Sequence, residues 1–168
     1  MKSSKSGYDL VHRIVEAWRA WDECTSSRPP SPEEMGHPAN SVLTVNVFVD
    51  SPIALRGYQT ALDVSGGSAG TLSLESLVVT DTRTDFVFHT LSDVPAIDNG
   101  NARVASALFS GAASGSPSKY LATYTYRASS NAAGTFTISI RTEDTMLRDE
   151  NSGSVNWEVG DVAEVTVE

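Results

Sequence analysis

Hydrophobic and polar positions alternate with a period of two over most of the chain beyond residue 41. The sharpest case is Tyr120 to Ile140, YLATYTYRASSNAAGTFTISI. Tyr120, Ala122, Tyr124 and Tyr126 fall on one face of its first run, and Leu121, Thr123, Thr125 and Arg127 on the other. Beyond a loop of small residues, Phe136, Ile138 and Ile140 oppose Thr135, Thr137, Ser139 and Arg141. Such alternation, with β-branched and aromatic enrichment, predicts half-buried strands, and the loop between them predicts a β-hairpin. The same reading places strands near 42–49, 55–64, 71–80, 86–91, 102–109, 120–128, 135–141 and 155–167, with a candidate break in the last at Gly160–Asp161. Ser65 to Ser68, Asp98 to Asn101 and Gly111 to Ser118 separate them with turn residues. Eight or nine short strands without intervening helices predict an all-β fold, a two-sheet antiparallel β-sandwich of the jelly-roll kind.

The period changes at the N-terminus. Over residues 8–23, YDLVHRIVEAWRAWDE, a helical spacing of about 100° gathers Tyr8, Leu10, Val11, Ile14, Val15, Ala17, Trp18 and Trp21 on one half of the wheel. Asp9, His12, Arg13, Glu16, Arg19 and Glu23 take the other half, with Asp22 the one intruder. Ser6 can cap this amphipathic α-helix, and Asp9–Arg13 and Arg19–Glu23 are favourable i,i+4 pairs. Thr25 to Asn40 carries four prolines and cannot continue a helix. The expected organisation is a helix over 1–24, a proline-rich linker over 25–40 and the sandwich over 41–168.

A net charge of −9 argues against nucleic acid or an anionic membrane as the partner. The charge is uneven: residues 1–35 hold five Lys/Arg against six Asp/Glu, and residues 36–168 hold seven against fifteen. The acidity therefore belongs to the β region, chiefly in loops such as Asp81 to Asp85. Cys24 is the only cysteine, so no intrachain disulfide forms. No run is long or apolar enough to span a bilayer. MKSSKSGYDL lacks the apolar stretch of a secretory signal.

The order of the strand motifs resembles cohesin-like modules. Leu43 to Gly67, LTVNVFVDSPIALRGYQTALDVSGG, is similar to that family's opening strands, with Gly57-Tyr58-Gln59-Thr60-Ala61-Leu62 as the Gly-aromatic-polar element. LESLVVTDT (Leu74 to Thr82) and ARVASALF (Ala102 to Phe109) look like the segments that follow, and Leu121 to Ile140 like the late paired strands. The resemblance covers about 41–168 and implies a jelly-roll sandwich related to carbohydrate-binding modules, extracellular or at the cell surface, and non-catalytic. It also implies a protein partner, a dockerin module in the best-known members, held on one sheet face. The N-terminal extension is not part of the family pattern.

Catalytic chemistry is not suggested. His12, His37 and His89 have no ligand spacing, and there is no nucleophile elbow, P-loop or dinucleotide fingerprint. Asp81/Asp85 and Asp149/Glu150 read as solvated loop carboxylates. Asp144, Asp149 and Asn151 form a weak candidate Ca²⁺ site on an irregular loop, and no other cofactor is expected. A true EF-hand is excluded because its sixth and twelfth positions are Ser154 and Gly160. Among the aromatics, Tyr124 and Tyr126 read as core, leaving Tyr58 and Tyr120 to supply any sugar-stacking platform for a polysaccharide. The helix face Tyr8, Leu10, Val11, Ile14, Trp18 and Trp21 is the candidate partner-binding surface, for another protein or for self-association. The expected function is a non-catalytic binding or assembly module, with a carbohydrate-binding module as the alternative.

Overall fold

A computed structural model describes residues 11–17, 37–51, 53–160 and 162–168. Its strands are β1 (Val11–Ala17), β2 (Val42–Ser51), β3 (Leu55–Gly66), β4 (Leu72–Val78), β5 (Asp93–Asp98) and β6 (Arg103–Leu108). They continue with β7 (Ser116–Ala128), β8 (Gly134–Ile140), β9 (Met146–Asp149), β10 (Glu158–Val159) and β11 (Ala163–Val167). One sheet runs β10-β1-β2-β7-β4 and the other β11-β8-β3-β6-β5, with β9 also paired to β3. Among the described residues no helix is long and apolar enough to cross a membrane.

The alternation read from the sequence sets the core. Leu43, Val45, Val47 and Val49 of β2 face Leu62 of β3, Val104 and Leu108 of β6, and Phe136, Ile138 and Ile140 of β8, all buried. The two central strands clasp each other across this core. Tyr124 Oη on β7 donates to the Thr60 carbonyl on β3 (3.0 Å), and Tyr58 Oη on β3 donates to the Leu121 carbonyl on β7 (2.8 Å). Tyr124 and Tyr126 are core, as the sequence predicts.

Four expectations are corrected. The predicted helix over 8–23 is not one at Val11–Ala17, which pair antiparallel with β2 from Val11↔Asp50 to Ala17↔Thr44. The rest of that segment lies outside the described residues. Val11, Ile14 and Val15 are β-branched and lose χ1 freedom in a helix, so an open sheet edge overrides the weaker helical periodicity.

The predicted hairpin of Tyr120 to Ile140 is an arch. Both strands exist, but β7 pairs with β2 and β4, and β8 with β3 and β11, in the opposite sheet. The loop bonds to another arch instead, through Ser129 N–H to the Thr71 carbonyl and Ala133 N–H to the Ala69 carbonyl. Gly70 (φ +68°) makes this approach feasible, since a Cβ there would sit 2.5 Å from the Ala132 backbone.

The predicted strand 86–91 is a string of turns, with Phe86, His89 and Leu91 N–H bonding to the carbonyls of Arg83, Phe86 and Phe88. Phe86 and Phe88 are buried at the end of the sandwich, so an apolar run read as a strand is a plug. Finally, Tyr120 does not share a face with Tyr124. A register irregularity between Val47 and Phe48 turns it to the outer side, where its hydroxyl meets Thr123 Oγ1 at 2.8 Å and the 79–91 loop covers its ring.

Arg83 fastens that loop. Its guanidinium lies 4.1 Å from the Tyr120 ring centroid and makes two bonds to Asp85, Nε–Oδ1 2.8 Å and Nη2–Oδ2 2.7 Å. Hydrogen bonding from Arg83 is the main cause holding the Asp85 carboxyl below its ordinary value. A carboxyl lowered in the fold contributes stability above the unfolded value of 3.8, and this is lost as pH falls through the lower folded value. Asp85→Asn is therefore expected to lower stability at neutral pH and to flatten its fall on acidification, read by urea midpoints from pH 7 downward. The pair is more than one-third exposed on the Asp85 side, so the effect is small.

Candidate functional site

In β3, the residues between the core positions Tyr58, Thr60 and Leu62 point to the outer face of the sheet. Register carries that face across four strands. Val94 of β5, Ala107 of β6, Gly57 of β3 and Arg148 of β9 form one row, and Ala96, Ala105, Gln59 and Met146 form the next. The rows carry few large side chains at their centre, where Ala107 is exposed, Ala105 half-buried and Gly57 buried between its neighbours. A Cβ on Gly57 would lie 3.3 Å from the Ser106 carbonyl oxygen and 3.4 Å from the Ala107 Cβ, so the position has little room for a side chain. Apolar groups rise at the margins: Val94 is 50% exposed, Met146 38%, and Phe109, one residue past β6, 76%.

The two ends of this platform differ in how their arginines are paired. At one end Arg141 bonds Asp63 Oδ1 (2.6 and 2.8 Å), Asp144 Oδ2 (3.1 Å) and the Leu62 and Asn101 carbonyls. Donating hydrogen bonds to the Asp63 and Asp144 carboxylates raises the Arg141 pKa. Beside it, Arg103 pairs with Asp98 at 3.2 Å. At the other end Arg148 donates to Ser154 Oγ (2.7 Å), and Arg56 to the Phe109 carbonyl (3.1 Å). Among the described residues neither of these two cations meets a carboxylate at ion-pair distance. The platform is thus small and apolar in the middle, with ion-paired carboxylates at one end and two arginines beside the Asp149–Glu150 turn at the other, which is suited to holding a complementary surface.

The residues singled out in the sequence lie elsewhere. Tyr8, Leu10, Trp18 and Trp21 fall outside the described residues, while Val11 and Ile14 stand on β1 opposite Asp50 and Val47. The Ca²⁺ candidates divide between two turns. Asp144 is bound to Arg141, whereas Asp149 Oδ1 accepts from the Asn151 and Gly153 amides at 2.9 and 2.7 Å. Among the described residues no group of three or more His, Cys, Asp or Glu is gathered. Tyr58 and Tyr120, the two rings read as free for sugar stacking, are 3% and 0% exposed. That expectation is overturned, because the Tyr58 hydroxyl reaches across the core to the Leu121 carbonyl and the Tyr120 hydroxyl meets Thr123 and Val78 beneath the covering loop.

The comparisons with known proteins agree with this architecture. The sandwich superposes on CaCohA2 from Clostridium acetobutylicum in its solution structure, with TM-score 0.50, 13% identity and 96% of this chain against 92% of that one. The same module in complex with a CaDoc0917 variant gives TM-score 0.53 at 17% identity, over 79% of this chain and 96% of that one. The second type II cohesin module of the adaptor ScaA scaffoldin of Acetivibrio cellulolyticus gives 0.50 at 11% identity, over 94% and 88%. The fold is cohesin-like. No family model and no curated protein matches the chain. The cohesin-like fold is therefore recognisable in strand order and shape at an identity where sequence retains little signal.

The platform residues were legible in part. ARVASALF places Arg103, Ala105, Ala107 and Phe109 on one face and Val104, Ser106 and Leu108 on the other, so β6 carries apolar or small residues on both sides. A strand with two such faces has a second surface to cover. Met146 and Arg148 gave no comparable signal, because β9 is only four residues long.

Proposed function

We propose that this chain is a non-catalytic protein-binding and assembly module of a bacterial extracellular or surface protein. Its partner docks on the outer face of β5, β6, β3 and β9. The observation that carries this reading is the Gly57–Ala105–Ala107 centre, poor in large side chains and rimmed by exposed Val94, Met146 and Phe109. A surface of small side chains favours the rigid face of another folded protein over a small ligand, which needs concavity. The superposition on CaCohA2, a module solved in complex with CaDoc0917, supports a partner of the dockerin kind. Tyr8, Leu10, Trp18 and Trp21 supply a second apolar contact.

A second reading, a carbohydrate-binding module, is favoured by one observation. A groove of about 520 Å³ has polar lining from Thr84, His89, Ser114 and Lys119 and an apolar part that includes Val87 and Leu91. Titration calorimetry against a panel of dockerin modules, together with electrophoresis through polysaccharide gels, separates the two. Dockerin binding without retardation in the gels supports the platform. Retardation by a polysaccharide, with no dockerin bound, replaces the first reading by the second.

A further inference from the structure

The opposite sheet carries a feature that the platform does not use. β1 covers β2 over seven register pairs, from Val11↔Asp50 to Ala17↔Thr44, while its other edge meets β10 at only two. β1 comes from far along the chain. Residues 18–36 separate it from His37, where the chain is tied again by His37 N–H to the Thr166 carbonyl and Glu168 N–H to the His37 carbonyl. Fully extended, that span reaches roughly 60 Å. Its sequence contains Pro29, Pro30 and Pro32.

We infer that the slot along β2 is a strand-exchange site, in which residues 11–17 of one copy complete the sheet of a second copy and form a reciprocal dimer. Three observations point to a second copy as the occupant. The backbone bonds and register that seat β1 are the same whether the strand arrives from its own chain or another. Exchange therefore costs only the advantage of tethering, which a long connection lowers without removing, so that protein concentration decides between the two arrangements.

The edge of β2 is also unguarded. VLTVNVFVDS has no proline and a single charge, and its Val45, Val47 and Val49 are buried. When β1 leaves, this edge is open to strand addition. By contrast β5, one edge of the other sheet, has Asp93, Pro95 and Asp98 in six residues, the composition that blocks edge pairing. β5 is closed to addition by its own sequence, whereas β2 is closed only by an exchangeable strand.

The test uses the full chain with Cys24→Ser and the register pair Ala17→Cys/Thr44→Cys. Ordinary and heavy-isotope chains are mixed in equal amounts, unfolded under reducing conditions, refolded at high or low concentration and then oxidised. At high concentration the protein is expected to sediment as a dimer, and half of its interchain disulfides between the two introduced thiols should join chains of unlike label. At low concentration the same disulfide should join like-labelled positions within one chain. Only like-labelled disulfides at every concentration overturn the inference. So does failure of the two thiols to pair at all, because the β1–β2 register is then not formed. A dimer that lacks the unlike-labelled disulfide assigns self-association to another surface and equally overturns it. The outcome is independent of docking on the platform, which lies on the other sheet.

Discussion

Tyr124→Ala is expected to cost about 3–5 kcal/mol of stability, the range for removing a fully buried aromatic ring. Tyr124 is 0% exposed, lies between Val45 and Leu77 in register, and spans to β3 through Thr60. Its truncation opens a cavity and removes one half of the clasp between the central strands. Two phenylalanine variants separate these contributions. Tyr124→Phe leaves the Thr60 carbonyl without its cross-sheet donor and should cost about 1–3 kcal/mol. Tyr126 is also buried, but its hydroxyl has no partner among the described residues. Tyr126→Phe should therefore be neutral or stabilising, as it removes a desolvated group that gains no bond. Burial raises both phenol pKa values well above 10. A group raised in the fold contributes stability below its unfolded value, and this is lost as pH climbs past about 10. Urea unfolding of the three variants at neutral and alkaline pH reads all of this. Equal losses for the two phenylalanine variants would show that the hydrogen bond to Thr60 is not what distinguishes the tyrosines.

The contrast between these two tyrosines shows where sequence legibility ends. Period-two alternation placed Tyr124 and Tyr126 in the core, and predicted β2, β3, β4, β6, β7 and β8 to within a few residues, because burial imposes that period whichever strands lie alongside. Pairing leaves no such mark. The two strands of Tyr120 to Ile140 have apolar faces that satisfy either a hairpin or an arch, and what decides is Gly70 and its contact with Ala132, sixty residues away in sequence. A register irregularity at Val47/Phe48 likewise reverses Tyr120 without any local signature. β5 was missed because an edge strand exposed on both faces shows no alternation. The platform was missed for a related reason. Its working surface consists of Gly57, Ala105 and Ala107, and sequence reading looks for large or reactive side chains.

Ala107→Arg is expected to weaken partner docking about 100-fold or more while changing stability by no more than about 0.5 kcal/mol. Ala107 is exposed and stands between Val94 and Gly57 at the centre of the face, so its side chain supports no packing within the sandwich. An arginine there rises above the plane, holds a rigid partner off both neighbouring rows, and must bury a charge in a region of methyl groups. Phe109→Ala should cost about tenfold, because that ring is a single anchor at the margin and not the floor. Lys119→Ala, which alters the groove, should leave docking unchanged. Calorimetry with a dockerin that binds the parent chain reads all three variants, and urea midpoints verify that the fold is intact. The opposite pattern, with binding lost in Lys119→Ala and retained in Ala107→Arg, moves the site to the groove. A protein that recognises its partner through a face of small side chains is then most sensitive at the position where it has the least side chain to lose, and addition at Ala107 should harm docking more than deletion at Phe109.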